Sequence, residues 1–228
     1  MASQQRKNKY QEQNVRLPII GAMSNRDVSG AKDQRFVNMF PETRKVEAIE
    51  STRIFLNKRP GLTLYKDFGD GYGRGIAWFR NKLYVAIDGH VYEDGSPPTS
   101  VITLTDVDSK VGMIVANSST IGDYLFICDG TSGWIINSAG TVTAITDPDF
   151  PTPHIPVPTF IDGYILLAKG SDVYNCILDT PSSWDSGQYL SAEMFPDPIV
   201  ALARQNNQVV VFGETSVEFF YDAANISG

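Results

Sequence analysis

Two histidines, His90 and His154, and two cysteines, Cys128 and Cys176, are the chain's whole stock of the side chains that most often hold metals or serve as proton carriers and nucleophiles. The cysteines stand 48 residues apart with no CxxC pair. Neither zinc-ligand spacing nor a disulfide framework follows, and two buried thiols are expected. His90 falls in a glycine turn and His154 in a proline-rich connection, neither with a third titratable partner at a recognisable spacing, so both are expected at the surface. No GxSxG nucleophile motif occurs. Gly69-Asp70-Gly71-Tyr72-Gly73-Arg74-Gly75 is rich enough in glycine to cradle a phosphate, but it lacks the Lys-Ser/Thr ending and no helical pattern follows; it reads as a flexible turn. Asp106-Val107-Asp108-Ser109-Lys110 begins like a calcium loop, but Lys110 stands at the third ligand and no Glu closes it, which leaves a solvated turn. The remaining carboxylates are scattered, and none can be paired at the separation a glycosidase needs. No catalytic residue, metal or organic cofactor is expected, and the chain is read as a non-enzyme.

The elements that carry these residues are constrained by composition. The chain has 228 residues, 42% hydrophobic and 11% aromatic, with 19 Gly and 13 Pro, a mixture suited to short strands and frequent turns. No 18-residue apolar run and no secretory signal is found, so the protein is expected to be made and assembled in a cytoplasm. Charge is unevenly spread. Residues 1–60 carry twelve Lys/Arg against six Asp/Glu, and residues 61–228 seven against twenty, +6 and −13 within the net −7. A basic head beside an acidic body marks an arm that docks on an acidic surface. Its candidate docking residues are Arg6, Lys7, Lys9, Arg16, Arg26, Arg35 and Arg59, interleaved with the apolar anchors Phe36, Met39 and Phe40. Residues 1–65 are therefore read as an irregular basic N-terminal arm and lead-in segment, ending near the Pro60-Gly61 turn signal.

Residues 66–228 repeat. Very apolar strands at Leu83–Ile87, Tyr124–Cys128, Ile165–Ala168 and Val209–Phe212 are each preceded by a tight polar turn and closed by Gly89, Gly130, Gly170 and Gly213, at intervals of 41, 40 and 43 residues. A period near forty built of short strands is the signature of β-propeller blades. The near-continuous apolar runs require cover on both faces, which stacked neighbouring blades supply. Val101–Leu104 and Val142–Ile145 are suited to outer strands, and the prolines at 97–98 and 148–158 are expected between blades. The fold class is thus all-β, a propeller with about four blades in this chain and part of a larger ring. The last repeat lacks a fourth strand, so the propeller is expected to be incomplete at the C-terminus and completed by a second polypeptide or a further C-terminal region.

Several stretches together resemble the packaged-DNA stabilisation proteins, or tail hub (nozzle) proteins, of short-tailed bacteriophages: Val37-Asn38-Met39-Phe40-Pro41, then Pro60-Gly61-Leu62-Thr63-Leu64-Tyr65, then Arg74-Gly75, and finally Val211-Phe212-Gly213-Glu214-Thr215-Ser216-Val217-Glu218-Phe219-Phe220-Tyr221. The resemblance spans roughly residues 36 to 222 and implies a structural virion protein of the tail. Such a protein self-associates into a ring, usually of six subunits, below the portal and its adaptor ring. The ring extends the conduit for double-stranded DNA, helps retain the packaged genome and carries tail fibres, spikes or a plug. Family members are longer than this chain. A glycan-binding or glycan-processing propeller and a cellular adaptor propeller are the rival readings.

Overall fold

The computed structural model describes residues 39–46, 51–192 and 197–221. The chain divides into two units, Met1–Tyr65 and Lys66–Gly228. In the first, β1 (Met39–Val46) and β2 (Ser51–Lys58) form an antiparallel hairpin in register from Met39 opposite Lys58 to Val46 opposite Ser51. The apolar groups that read as separate anchors are thereby paired within one ribbon, Phe40 opposite Asn57 and Pro41 opposite Leu56.

The second unit contains only strands among the described residues, arranged as four antiparallel sheets in chain order. The first runs from β3 (Gly73–Phe79) through β4 (Lys82–Ile87) and β5 (His90–Glu93) to β6 (Thr99–Thr103). The second comprises β7 (Gly112–Ser118), β8 (Gly122–Cys128), β9 (Gly133–Asn137) and β10 (Val142–Ala144). The third comprises β11 (Ile155–Ile161), β12 (Tyr164–Lys169), β13 (Asp172–Ile177) and β14 (Thr180–Ser191). The fourth has three strands among the described residues, β15 (Ile199–Gln205), β16 (Gln208–Gly213) and β17 (Val217–Tyr221). Each sheet is a meander, and the turns explain why. Phe79 and Lys82 pair across Arg80-Asn81, both at positive φ, and Ile161 and Tyr164 pair across Asp162-Gly163, also both positive. Two such residues give a hairpin turn whose twist matches the flanking strands.

The central strands are buried on both faces, as their composition requires. In β8, Leu125 and Ile127 pack with Tyr84, Ala86 and Val91 of the first sheet, whereas Tyr124, Phe126 and Cys128 pack with Ile165, Leu167 and Trp184 of the third. β12 repeats the pattern one sheet on: Leu166 and Ala168 turn to Leu202, Val209 and Val211 of the fourth sheet. Each large side chain fully buried in this way contributes about 1.5–3 kcal/mol. The first strands of successive sheets, β3, β7, β11 and β15, lie side by side. Three apolar layers thus join four blades in series.

One feature departs from expectation. Pro156 and Pro158 lie inside β11, where the register shifts between Ile155 and Thr159. β11 borders its sheet, so a missing N–H on its free side breaks no ladder. β14 runs twelve residues through the polar sequence TPSSWDSGQYLS and follows β13 with two register shifts.

Candidate functional site

The polar groups that organise the blades lie in the connectors between them. Asp129, at the end of β8, is fully buried. Its Oδ2 accepts the backbone N–H groups of Thr105 (2.6 Å) and Asp106 (2.8 Å) from the connector leaving the first blade. Its Oδ1 accepts those of Thr131 (2.9 Å) and Ser132 (2.7 Å) in its own turn. Asp106 in turn accepts the N–H groups of Asp108 and Ser109 and the Ser109 hydroxyl, and meets Arg74 Nη2 at 3.4 Å. Those hydrogen bonds, led by the one from the Ser109 N–H, hold its carboxyl below the usual carboxylate range. Arg74, 5% exposed, also donates to the carbonyls of Asp88, Asp106 and Ser109. The segment 106–110, expected as a solvated turn, is exposed at Val107, Asp108 and Lys110 and is tied through Asp106 between the arginine of one blade and the aspartate of the next.

Similar ties recur at the other junctions. Asp147 accepts N–H groups from Asp149 (2.9 Å) and Trp184 (3.1 Å), joining the connector after the second blade to β14. The Asp149 N–H is the larger cause of its lowered carboxyl pKa. Asp197 accepts from the Thr215 N–H (2.6 Å) and the Ser216 hydroxyl (2.7 Å), fastening the connector before β15 to the turn after β16. At another rim position, Tyr84 donates to Glu93 (2.6 Å), and Lys82 and Arg80 converge on the same carboxylate. Burial, followed by the Glu93 bond, pushes the phenol up to about 12. Arg80 also donates to the carbonyls of Ser138 and Ala139. These groups serve one another and the backbone.

His154, expected at the surface, is buried, 6% exposed. Its ring packs edge-on against Phe150 at 5.2 Å, Nδ1 lies 2.7 Å from the Pro151 carbonyl, and the His154 backbone N–H donates to the Gly130 carbonyl (2.8 Å). Nε2 is shielded with no hydrogen-bond partner among the described residues. Burial lowers its pKa and outweighs the opposing effects of Pro151 and Asp129. The sign of the resulting linkage is definite: below about pH 6.5 the unfolded chain binds a proton that the folded chain resists, so stability falls as pH falls from the unfolded pKa towards the depressed folded one. Between pH 7.5 and 5.5 the urea midpoint of the wild type should drop more than that of His154→Phe. Equal drops would remove His154 as the cause.

Cys128 and Cys176 are free, buried thiols. Burial raises both pKa values, that of Cys176 to about 12. In the folded chain neither should react with a disulfide reagent at more than about a hundredth of the rate in urea; fast labelling under native conditions would contradict the packing. Among the described residues no group of three or more His, Cys, Asp or Glu is placed to hold a metal ion. An open cleft of about 430 Å³ is lined by Trp78, Phe79, Arg80, Asn81, Val115, Asp123 and Ser138. Its lining includes one carboxylate, Asp123, which accepts from Asn117 (2.7 Å). A glycosidase needs two.

The two ends of the blade series carry exposed apolar side chains. On the first sheet, Ile76 pairs with Val85 and Trp78 with Leu83, on the side opposite Ala77 and Phe79. Ile76 is 66% exposed and Trp78 57%. On the fourth sheet, Val210 pairs with Phe219 and Phe212 with Val217, opposite the face that packs on the third blade. Of the docking residues read from the sequence, Arg6, Lys7, Lys9, Arg16, Arg26, Arg35 and Phe36 lie outside the described residues. Met39 and Phe40 open β1, Met39 half-exposed, and Arg59 follows β2 on the surface.

Four-stranded meanders at a period near forty, stacked face to face with their first strands side by side, define a β-propeller. Residues 15–226 match the phage-stabilisation family described as bacteriophage P22 Gp10, beta-propeller, and the chain belongs to that family. It has a phage structural role. No curated protein matches it by sequence. Similar solved structures include BBS1N in complex with ARL6DN, at 15% identity and a TM-score of 0.49, covering 79% of this chain and 62% of that one. Virginiamycin B lyase from Staphylococcus aureus matches at 16% identity and 0.42, covering 71% and 59%, and the computationally designed Ika8 protein at 16% and 0.45, covering 82% and 57%. The chain thus spans about three fifths of the length of these structures.

Proposed function

We propose that the chain is part of the tail of a short-tailed phage, in a ring below the portal and adaptor that extends the DNA conduit, helps retain the packaged genome and carries tail appendages. The observation that carries this proposal is the family match across residues 15–226. The charge distribution supports it. A duplex sliding past a body with seven basic and twenty acidic residues finds few phosphate contacts to hold it, which favours passage over binding. The Asp106 and Asp147 carboxylates, with lowered pKa values, keep that charge into mild acid. The same proposal gives the chain no catalytic step.

The basic arm is the docking element. Arg6, Lys7, Lys9, Arg16, Arg26, Arg35 and Arg59 provide ion pairs worth roughly 0.2–1 kcal/mol each when exposed, and Phe36, Met39 and Phe40 provide the apolar burial that supplies most of the affinity. Its partner is an acidic protein surface, the adaptor ring or an adjacent subunit, joined during assembly in the host cytoplasm. The test is deletion of residues 1–35 in the phage. Tails lacking the ring, with genomes in filled heads becoming nuclease-sensitive, are expected; normal tails with nuclease-resistant genomes would overturn the assignment.

A further inference from the structure

We infer that the cleft between the first and second blades is a binding site for the pyranose ring of a neutral glycan, which it holds without cleaving. The inference does not depend on the chain's place in a tail.

The walls of the cleft are fixed by the junction that carries it. Arg80, in the turn from β3 to β4, donates through Nε to the Ser138 carbonyl (2.8 Å) and through Nη2 to the Ala139 carbonyl (3.2 Å), both in the turn after β9. That turn lies so close that a Cβ on Gly140 would collide with the guanidinium. Phe79 is buried with Leu125 and Ile127 in the layer that joins the two blades. The site is therefore shaped before any ligand arrives. Its volume of about 430 Å³ falls within the range of small-ligand sites, roughly 300–1,000 Å³.

The lining then selects the ligand. Trp134 and Trp184 are buried, whereas Trp78 has more than half its surface open and Val115 about half. An open indole offers a flat apolar face with a polar N–H at its edge. Beside it, the Asn81 amide, the Ser138 hydroxyl and Asp123 Oδ2 make no hydrogen bond among the described residues, Oδ1 of Asp123 being held by Asn117. These groups supply both donors and acceptors. An anionic ligand is disfavoured, because Arg80, the one cation in the lining, is already committed to two carbonyls, the Tyr84 hydroxyl (3.3 Å) and Glu93 (3.7 Å), while Asp123 repels negative charge. A wholly apolar ligand would cover the amide and the carboxylate without pairing them. A pyranose meets both demands, with a C–H face for the indole and hydroxyls at its rim for Asp123, Asn81 and Ser138. Hydrolysis would need a second carboxylate in the cleft, so the ring is bound and left intact.

The experiment uses the 228-residue chain, which carries its own reporter because Trp78 is exposed and the other two of its three tryptophans are not. The probes are the methyl pyranosides of glucose, galactose, mannose and rhamnose. At least one should shift the emission to the blue and lower acrylamide quenching about twofold, with a dissociation constant on the order of 1 mM, the range for a single ring in an open cleft. Saturation-transfer NMR then reads the variants. Trp78→Ala should abolish binding and Asp123→Ala weaken it at least tenfold; both side chains are exposed, so both variants should fold, checked by circular dichroism. Ile76→Ala, on the same strand and outside the cleft, should bind as the wild type does. Three results would overturn the inference: no response to any of the four sugars, equal losses in Ile76→Ala and Trp78→Ala, or a Trp78 emission that moves with protein concentration in the absence of sugar, which would mark a protein partner at the cleft.

Discussion

Asp129→Ala is expected to destabilise the blade unit by about 4 kcal/mol, on the scale of leaving buried donors without their charged acceptor. Four backbone N–H groups, two from the connector leaving the first blade and two from the turn after β8, converge on one fully buried carboxylate. Removing it leaves all four without an acceptor in a place where water does not enter freely. At roughly 2–4 °C per kcal/mol for a unit of this size, the melting temperature should fall by about 8–16 °C. Asp129→Asn is the informative partner. Its amide can keep one oxygen for one pair of donors but turns an NH2 group towards the other pair, so it should recover only part of the loss. Urea titration followed by tryptophan fluorescence measures both. A change under about 1 kcal/mol for Asp129→Ala would show that the turn is held by something other than this carboxylate.

Gly112→Val is expected to cost about 3 kcal/mol, the upper part of the range for forcing atoms into a closed core. Gly112 opens β7, and a Cβ there would lie 2.6 Å from the Pro156 carbonyl oxygen and 2.9 Å from its carbon. The obstacle is backbone, which cannot swing aside. Gly75 has the same relation to its neighbour, a Cβ falling 2.5 Å from the Val111 carbonyl. Glycine thus lets the first strands of adjacent blades approach at the start of β3 and β7. Gly73 is the control: nothing lies within 4 Å of its Cβ position, so Gly73→Ala should stay within about 0.5 kcal/mol of wild type. If Gly112→Val and Gly73→Ala prove alike in thermal unfolding, close backbone approach is not what fixes the spacing of the blades.

Much of this architecture was legible because of one strong signal. Runs such as Tyr124–Cys128 have no polar face, and a strand without a polar face must be covered twice; the sheets on either side of β8 do this. The two buried thiols were expected because unpaired cysteines are among the most often buried residues. What escaped was held by contacts that no short window contains. His154 looked exposed because prolines surround it, yet a carbonyl three residues back and the ring of Phe150 give it a buried seat. β14 is not among the strands read from the sequence; its place is set by pairing with β13 and by Asp147 reaching the Trp184 N–H. The aspartates at the junctions were equally hidden, since acidic residues in turns are common and only the fold shows which of them reach a neighbouring blade. The docking residues were read from charge and spacing alone, and most lie outside the described residues.

A series in which each blade touches only its neighbours does not open all at once. Among the described residues the second and third blades are packed on both faces, the first and fourth on one, so the free energy of local opening should rise from the ends towards β8 and β12. Amide exchange would then show a gradient along the chain, fastest in β3 and β17 and slowest in the middle strands. A partner seated on either end would slow exchange there first and pass less and less of that protection inward, blade by blade. In the ring proposed above, attachment at an end would tighten the part of the protein that otherwise gives way most easily.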